Sequence, residues 1–315
     1  MPANHFSQAS STTDFGKFCT IAALFSVLVA VGLAVRPVFA EDSKGAASDA
    51  KNEVFVRILN KADEGKWKDL PIGELMGKIA YELVGTPYVG GVLDRNANQE
   101  VCTVDLTSLD CVTFFESTLD FARMLKKGGT TPEALVKEVS FTRYRGGIPR
   151  DYTSRLHYTT DWFHDNERKH VVKLMPKLPG SAPFTQKVGF MSTHPQLYPA
   201  LKAHPEFVAV LKKQEETINS RHLHFVPMDK IAAIEPLLQT GDIVGVCTNQ
   251  PGLDIVHTGL IFRDSAGVAH FMDASSKKSN MKVTIEPGPI SGALGWSKNN
   301  IGIMVARPLE PARKQ

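Results

Sequence analysis

Residues 109–116 read Leu109-Asp110-Cys111-Val112-Thr113-Phe114-Phe115-Glu116, and they predict the start of an amphipathic helix. Apolar residues continue at helical spacing as far as Leu125, and Gly128-Gly129 marks a stop. The polar loop before Cys111 offers N-cap side chains, so we expect Cys111 on the first helical turn. There the helix dipole and free backbone N–H groups favour the thiolate. Cys111 is therefore a candidate nucleophile, with the alternative that it is a small buried hydrophobe.

The overall composition is that of an ordinary globular protein. The chain has 315 residues, of which 43% are hydrophobic and 22% charged, with a formal net charge of +3. This length suits one large domain or two small ones. The basic excess is slight and forms no long run, so we expect no nucleic-acid-binding face.

The N-terminus has the pattern of an export signal. Lys17 precedes an apolar run over 18–35, and Val38-Phe39-Ala40 provides a small-residue cleavage pattern before Glu41. This predicts a secretory signal peptide over 1–40, with an uncleaved anchor as the alternative because the run is long. No later segment is apolar enough for a transmembrane span. The mature protein is expected to be exported, most simply to a bacterial periplasm, with no stable membrane insertion.

Cleavage would remove Cys19 and leave three cysteines, Cys102, Cys111 and Cys247. An odd number in an oxidising compartment implies a free thiol or an intermolecular bridge. Either Cys102 pairs with Cys247 or all three stay reduced. Their spacing matches no zinc motif, and we expect neither a metal nor a cofactor.

The rest of the chain divides into a helical part and a part rich in strands. The composition of 41–53 is that of a linker, and we assign 41–65 to a linker and N-terminal extension and 66–315 to a catalytic domain. Helical patterns cover 54–60, 71–84, 132–139, 199–213 and 228–233. Strand patterns cover 242–248, 255–263, 268–273, 281–285 and 301–306. Together they predict an α+β fold with an antiparallel sheet of about five strands.

A cysteine nucleophile needs a base and a group that orients it. His257 lies inside the second predicted strand, where a polar ring among apolar neighbours is unusual, and it is the candidate base. The alternative is a core histidine that is hydrogen-bonded to a backbone carbonyl. The next strand carries His270 and Asp273, whose side chains point to opposite faces because they are three residues apart. Asp273 is the better partner because a carboxylate holds the imidazole tautomer and stabilises the imidazolium; the alternative is a turn residue at the strand end.

Five short motifs follow one another along the chain: Gly85-Thr86-Pro87-Tyr88, Asp110-Cys111, Gly241-Asp242, His257-Thr258-Gly259 and Asp273-Ala274-Ser275. Together they resemble the NlpC-type cysteine amidases and endopeptidases of bacterial cell walls, a papain-like superfamily. The resemblance implies a nucleophile helix packed on a small antiparallel sheet. It implies Cys111 as nucleophile, His257 as base and Asp273 as orienting residue, although many members have His at that last position. Tyr88 matches a tyrosine near the nucleophile.

Longer motifs narrow the resemblance to one branch: residues 154–162, 190–195, 238–242 and 301–305. These are similar to N-acetylmuramoyl-L-alanine amidase-like proteins, a branch long filed as a domain of unknown function, and the similarity spans about 71–308. It implies hydrolysis of the amide between N-acetylmuramic acid and L-alanine in soluble peptidoglycan fragments, including 1,6-anhydro forms. The rival enzyme activity is that of a γ-D-glutamyl-diaminopimelate endopeptidase, and the rival non-enzyme is a catalytically silent wall-binding protein.

A minimal NlpC-type core needs far fewer residues between cysteine and histidine, so we expect most of 130–239 to be an insertion that shapes the cleft. Its arginines and aromatic residues suit the carboxylates and sugar rings of a muropeptide. Predicted substrate contacts there are Arg155, His157, Tyr158 and Trp162. Core packing is the alternative for Trp162. Outside the insertion, Tyr88 and Asp110 are further candidates for substrate contacts. Asp110 is also a candidate helix cap.

Overall fold

An antiparallel sheet of eight strands is the centre of the computed structural model, which describes residues 42–312, with side chains from Asn52 onward. The strands are β1 Val172–Leu174, β2 Ala182–Phe184, β3 Leu223–Pro227, β4 Ile243–Thr248, β5 Ile255–Arg263, β6 Ala269–Ala274, β7 Val283–Ile285 and β8 Asn300–Pro308. Their order is β2-β3-β8-β4-β5-β6-β7, and β1 pairs with the far end of β8. All six residues of β4 are buried, because helices or loops cover both faces of the sheet.

Ten α-helices of the described residues surround this sheet: α1 Asp42–Glu64, α2 Ile72–Glu82, α3 Cys111–Lys126, α4 Pro132–Arg143, α5 Thr159–Arg168, α6 Phe190–Thr193, α7 Pro199–Ala203, α8 Phe207–Asn219, α9 Ile231–Ile234 and α10 Ile290–Ala293. The apolar faces of α1, α2 and α3 share one core with Leu260 and Met272 of the sheet. On the other face, α9 and α10 pack against Ile261 and Phe271. Within 42–312, no helix is long and apolar enough to cross a membrane.

The mixed helix-and-sheet architecture with an antiparallel sheet is confirmed. The five predicted strands correspond to β4–β8, and the helices predicted from residues 71 and 111 correspond to α2 and α3. The helix predicted over 199–213 is instead two helices. α7 ends at Ala203 and α8 begins at Phe207, because Pro205 disfavours the helical conformation of His204, which has φ −132° and ψ 75°.

Two parts of the chain differ from the sequence-based expectation. The segment 41–53 reads as a linker, but α1 runs from Asp42, because Phe55, Ile58 and Ala62 anchor its later turns in the core. The Phe55 and Phe121 ring centroids are 5.1 Å apart. The middle segment adds β1, β2 and β3 to the sheet, which the sequence did not indicate because these strands are only three to five residues long. The predicted signal peptide lies outside the described residues.

Candidate active site

Cys111 is the first residue of α3, where the sequence predicts it, and it is partly exposed. Asp110 is the N-cap. Its Oδ1 accepts hydrogen bonds from the Thr113 backbone N–H and hydroxyl, both at 2.8 Å, and its own N–H donates to Thr113 Oγ1 at 2.9 Å. This capping box defines the first turn of α3 and so positions Cys111. The Asp110 carboxylate, a predicted substrate contact, is therefore engaged in the cap.

The strand β5 brings His257 to the start of α3. Its Nε2–H donates to Asp273 Oδ2 on β6 at 2.5 Å, and the other ring nitrogen is left for Cys111. Both His257 and Asp273 are buried. The alternative partner, His270, instead lies 3.0 Å from Asp264 and 3.2 Å from the Glu286 carbonyl oxygen. The structure thus brings together the three residues that the sequence selects.

Charge balance keeps the His257 ring protonated over a wide pH range. Burial lowers its pKa, but the hydrogen bonds and charges of Cys111 and Asp273 outweigh burial and raise the pKa to about 10. A cationic imidazole next to a cysteine is the arrangement in which cysteine nucleophiles are found. The arrangement can therefore supply a nucleophile and a proton donor side by side.

Thr258 connects strand β5 directly to the start of α3. Its hydroxyl donates to the Cys111 carbonyl oxygen at 2.8 Å, although the two residues are 147 positions apart in the chain. Because Thr258 is next to His257, this hydrogen bond holds the first turn of α3 against the strand that carries His257. Thr258 is a positioning residue that sequence reasoning missed, and only its place beside His257 could have indicated it.

Replacing Thr258 with valine is expected to lower kcat by about tenfold and stability by about 1 kcal/mol, because one buried hydrogen bond is lost. Thr258→Ser keeps the hydroxyl and should stay close to the wild type in both measurements. Steady-state kinetics and urea unfolding test the pair. Equal kinetics for the valine and serine variants would show that this bond does not position Cys111.

Gly259 leaves room for the residue that packs beside His257. A Cβ at Gly259 would lie 2.5 Å from the Met272 carbonyl oxygen and 2.6 Å from Phe271 Cε2. The Phe271 ring meets the His257 ring at an angle of 65°, with centroids 6.0 Å apart. In the His257-Thr258-Gly259 motif, the histidine thus faces Cys111 and Asp273, the threonine anchors α3, and the glycine admits Phe271.

Tyr88 lies on the loop that runs past the start of α3. Its backbone N–H donates to the Met281 carbonyl at 2.9 Å, and Val89 N–H donates to the Leu109 carbonyl at 2.9 Å. Burial, followed by the charges of Cys111 and Asp110, raises the Tyr88 pKa to about 12. The structure therefore places a neutral phenol within electrostatic range of Cys111, where the resemblance expects a tyrosine.

Arg155 does not line the site as predicted. Its side chain is only 6% exposed, with Nη2 2.5 Å from Asp94 Oδ1 and Nε 3.5 Å from Glu100 Oε1. The guanidinium also lies 4.8 Å from the centroid of the Tyr152 ring. Because its guanidinium is both buried and paired, Arg155 ties the loop around 93–100 to the middle segment and has no exposed donor for a ligand.

The three other predicted contacts in the insertion are also engaged within the protein. Trp162 is 1% exposed and donates from Nε1 to Glu116 at 3.0 Å. Tyr158 is buried, and its hydroxyl donates to Glu215 at 2.7 Å. The partly buried His157 ring bonds the Tyr152 carbonyl oxygen at 2.7 Å, and burial lowers its pKa to about 3. For Trp162 and Tyr158, burial corrects the prediction of a substrate contact, because neither ring has surface to offer.

The three cysteines within the described residues are all unpaired. Burial raises the pKa of Cys102 to about 11 and also raises that of Cys247. Both thiols are therefore protonated at neutral pH, whereas Cys111 has a cationic partner in His257. Within residues 42–312, no group of three or more His, Cys, Asp or Glu side chains is arranged to hold a metal ion.

A family model described as AmiA-like, N-acetylmuramoyl-L-alanine amidase-like, matches residues 78–288. That match covers more than half of the chain, and the chain belongs to the N-acetylmuramoyl-L-alanine amidase-like family. A search of curated proteins found no match.

The fold also resembles several solved structures. The fold resembles a crystal structure of an N-acetylmuramoyl-L-alanine amidase from Bacteroides uniformis, with a TM-score of 0.69, 30% identity and coverage of 76% of this chain and 99% of that one. It also resembles a Bacteroides fragilis protein described as a putative xylanase, with a TM-score of 0.65, 32% identity and coverage of 72% and 98%. A Legionella pneumophila protein, at 17% identity, a TM-score of 0.64 and coverage of 85% and 97%, shares the fold alone.

Proposed function

We propose that this protein hydrolyses the amide bond between the lactyl group of N-acetylmuramic acid and L-alanine in peptidoglycan fragments. The observation that carries the proposal is the arrangement of Cys111, His257 and Asp273, with the 2.5 Å hydrogen bond from His257 to Asp273 at its centre. Membership of the amidase-like family supports an amide substrate from the cell wall. The order of these residues on α3, β5 and β6 supports an NlpC-type, papain-like core.

The chemistry follows from the roles of the three side chains. His257 holds the Cys111 proton as an imidazolium, and Asp273 stabilises that imidazolium. The thiolate attacks the lactyl carbonyl carbon, and the backbone N–H of Cys111, at the unpaired start of α3, is the candidate donor to the oxyanion. The imidazolium then protonates the departing L-alanine nitrogen as the C–N bond breaks. Water, activated by His257, hydrolyses the thioester and regenerates the thiol.

The setting of the reaction is part of the same proposal. The predicted signal peptide supports export, most simply to a bacterial periplasm, where soluble muropeptides, including 1,6-anhydro forms, are the expected substrates. The mechanism uses only side chains and backbone groups of this chain, together with water.

Mass spectrometry of defined muropeptides after incubation with the purified protein tests the function. The expected products are the free disaccharide and an intact stem peptide. A disaccharide that still carries L-Ala-D-Glu would instead identify a γ-D-glutamyl-diaminopimelate endopeptidase. Unchanged muropeptide that nevertheless binds would identify a silent wall-binding protein.

The His257 pKa leads to a pH prediction. Since the ring must be protonated to serve the departing amine, kcat/KM should fall as pH rises through about 10. Asp273→Asn removes one of the interactions that raise this pKa, so the alkaline limb should move to lower pH. Rate measurements from about pH 6 to pH 10.5 on both proteins check this. An alkaline limb at the same pH in both would contradict a His257–Asp273 pair that acts in catalysis.

A further inference from the structure

A cavity of about 310 Å³ lies beside His257. Its wall includes His257 and Asp273 together with Lys277, Glu286 and Trp296, and we call it the His257–Trp296 cavity. It is built from β5, β6 and the segments that follow them. Within the described residues, no residue of α3 lines it, so a molecule in it would touch the base without lying over the nucleophile.

Trp296 forms an exposed wall of this cavity. The residue is 45% exposed. Its ring is perpendicular to the His257 ring, with an interplanar angle of 89° and 6.0 Å between the ring centroids. The loop that carries it is held by two Asn300 hydrogen bonds, to the Leu294 carbonyl at 2.8 Å and the Ser297 carbonyl at 3.1 Å. A large aromatic ring held in place at the rim of a cavity is typical of a ligand contact.

Lys277 provides a positioned cation in the same wall. Its Nζ lies 2.8 Å from Glu286 Oε1, and its side chain is 39% exposed whereas that of Glu286 is 12% exposed. An ammonium group has three N–H donors, so Glu286 can orient Lys277 and still leave donors for a ligand. A carboxylate of the ligand is the natural acceptor for such a group.

The proposed reaction indicates which half of the substrate enters this cavity. Cys111 becomes bonded to the muramyl acyl group, whereas His257 gives its proton to the departing amine. The departing peptide must therefore begin next to His257. Its second residue is a D-glutamate joined to the next residue through its side-chain carboxyl, which leaves an ionised α-carboxylate close to the cleaved bond.

We propose that the His257–Trp296 cavity is the subsite for the departing stem peptide, an inference that rests on the proposed function. Trp296 packs against L-alanine, and Lys277 pairs with the free α-carboxylate of D-glutamate. Trp296 and Lys277 are then the residues that select the peptide, in place of the buried Arg155 and Trp162.

Two substrates that differ at this one group provide the test: MurNAc-L-Ala-D-Glu and MurNAc-L-Ala-D-isoglutamine, in which the α-carboxylate is an amide. The wild type is expected to favour the first by about tenfold in kcat/KM, the size of one charge-assisted hydrogen bond. Lys277→Met should abolish the preference by slowing only the D-Glu compound. Lys278→Met is the matched control, because Lys278 is the exposed neighbour and does not line the cavity, so the preference should persist. Trp296→Ala should raise KM for both compounds.

Binding to the Cys111→Ala protein separates this proposal from the function itself. Calorimetric titration of the same two compounds should show the tenfold preference, and Lys277→Met in that background should remove it. Equal affinity for both compounds, or a preference that survives Lys277→Met, would overturn the subsite even if the amide is cleaved. Absence of cleavage by the wild type would overturn the function, while the titration still decides the subsite.

Discussion

Replacing Cys111 with alanine is expected to lower the rate of stem-peptide release by about three orders of magnitude or more, because in the proposed mechanism no other group forms the thioester. The fold should be almost unchanged. Cys111 is partly exposed, and alanine is well suited to the first turn of a helix. The measurements are product release by mass spectrometry and the melting temperature.

The matched control is Cys102→Ala, since burial raises the pKa of that thiol to about 11 and its sulfur contacts the Val136 carbonyl at 3.9 Å instead of a histidine. That variant should keep most of the activity. Iodoacetamide at pH 6 should modify wild-type Cys111 quickly and Cys102 slowly, since only the thiolate reacts. Substantial stem-peptide release by the Cys111→Ala protein would rule out Cys111 as the nucleophile.

The second large effect is a loss of stability, expected when Glu116 in the core is replaced. Its carboxylate accepts from Arg143 Nε at 2.8 Å and from Trp162 Nε1 at 3.0 Å, and its side chain is only 1% exposed. Glu116→Ala would leave a buried guanidinium and an indole N–H without this acceptor. We therefore expect a loss of about 3–5 kcal/mol in the free energy of unfolding, measured by urea denaturation.

Two further variants serve as controls for this measurement. Glu216→Ala changes an exposed carboxylate on α8 and should stay within about 0.5 kcal/mol of the wild type. The double variant Glu116→Leu/Arg143→Met replaces the buried pair by apolar side chains and should be more stable than Glu116→Ala alone. A double variant no more stable than Glu116→Ala would show that packing, rather than the unpaired charge, dominates the loss.

Much of the reactive centre could be predicted from local patterns. Helical spacing and the Asp110 cap located Cys111 at the start of a helix. The alternation of side chains along β6 allowed only one of His270 and Asp273 to face His257, and the chemistry of a carboxylate favoured Asp273. Both inferences needed only a few neighbouring residues. The substrate contacts could not be found in this way, because the partners of the candidate side chains are distant in the chain. Arg155 meets Asp94 at a separation of 61 residues, and Trp162 meets Glu116 at a separation of 46.

The sequence by itself determined the start of α3 and the strands β4–β8, and it identified the candidates for a nucleophile, a base and an orienting carboxylate. This information is local, because capping, periodicity and alternation act over a few residues. Only the tertiary structure decided how these residues meet. The docking of α3 on β5 through Thr258 places Cys111 beside His257, and the pairing of β5 with β6 brings Asp273 to the imidazole. It also decided that Trp162 is core while Trp296 is exposed, since burial depends on packing between distant segments.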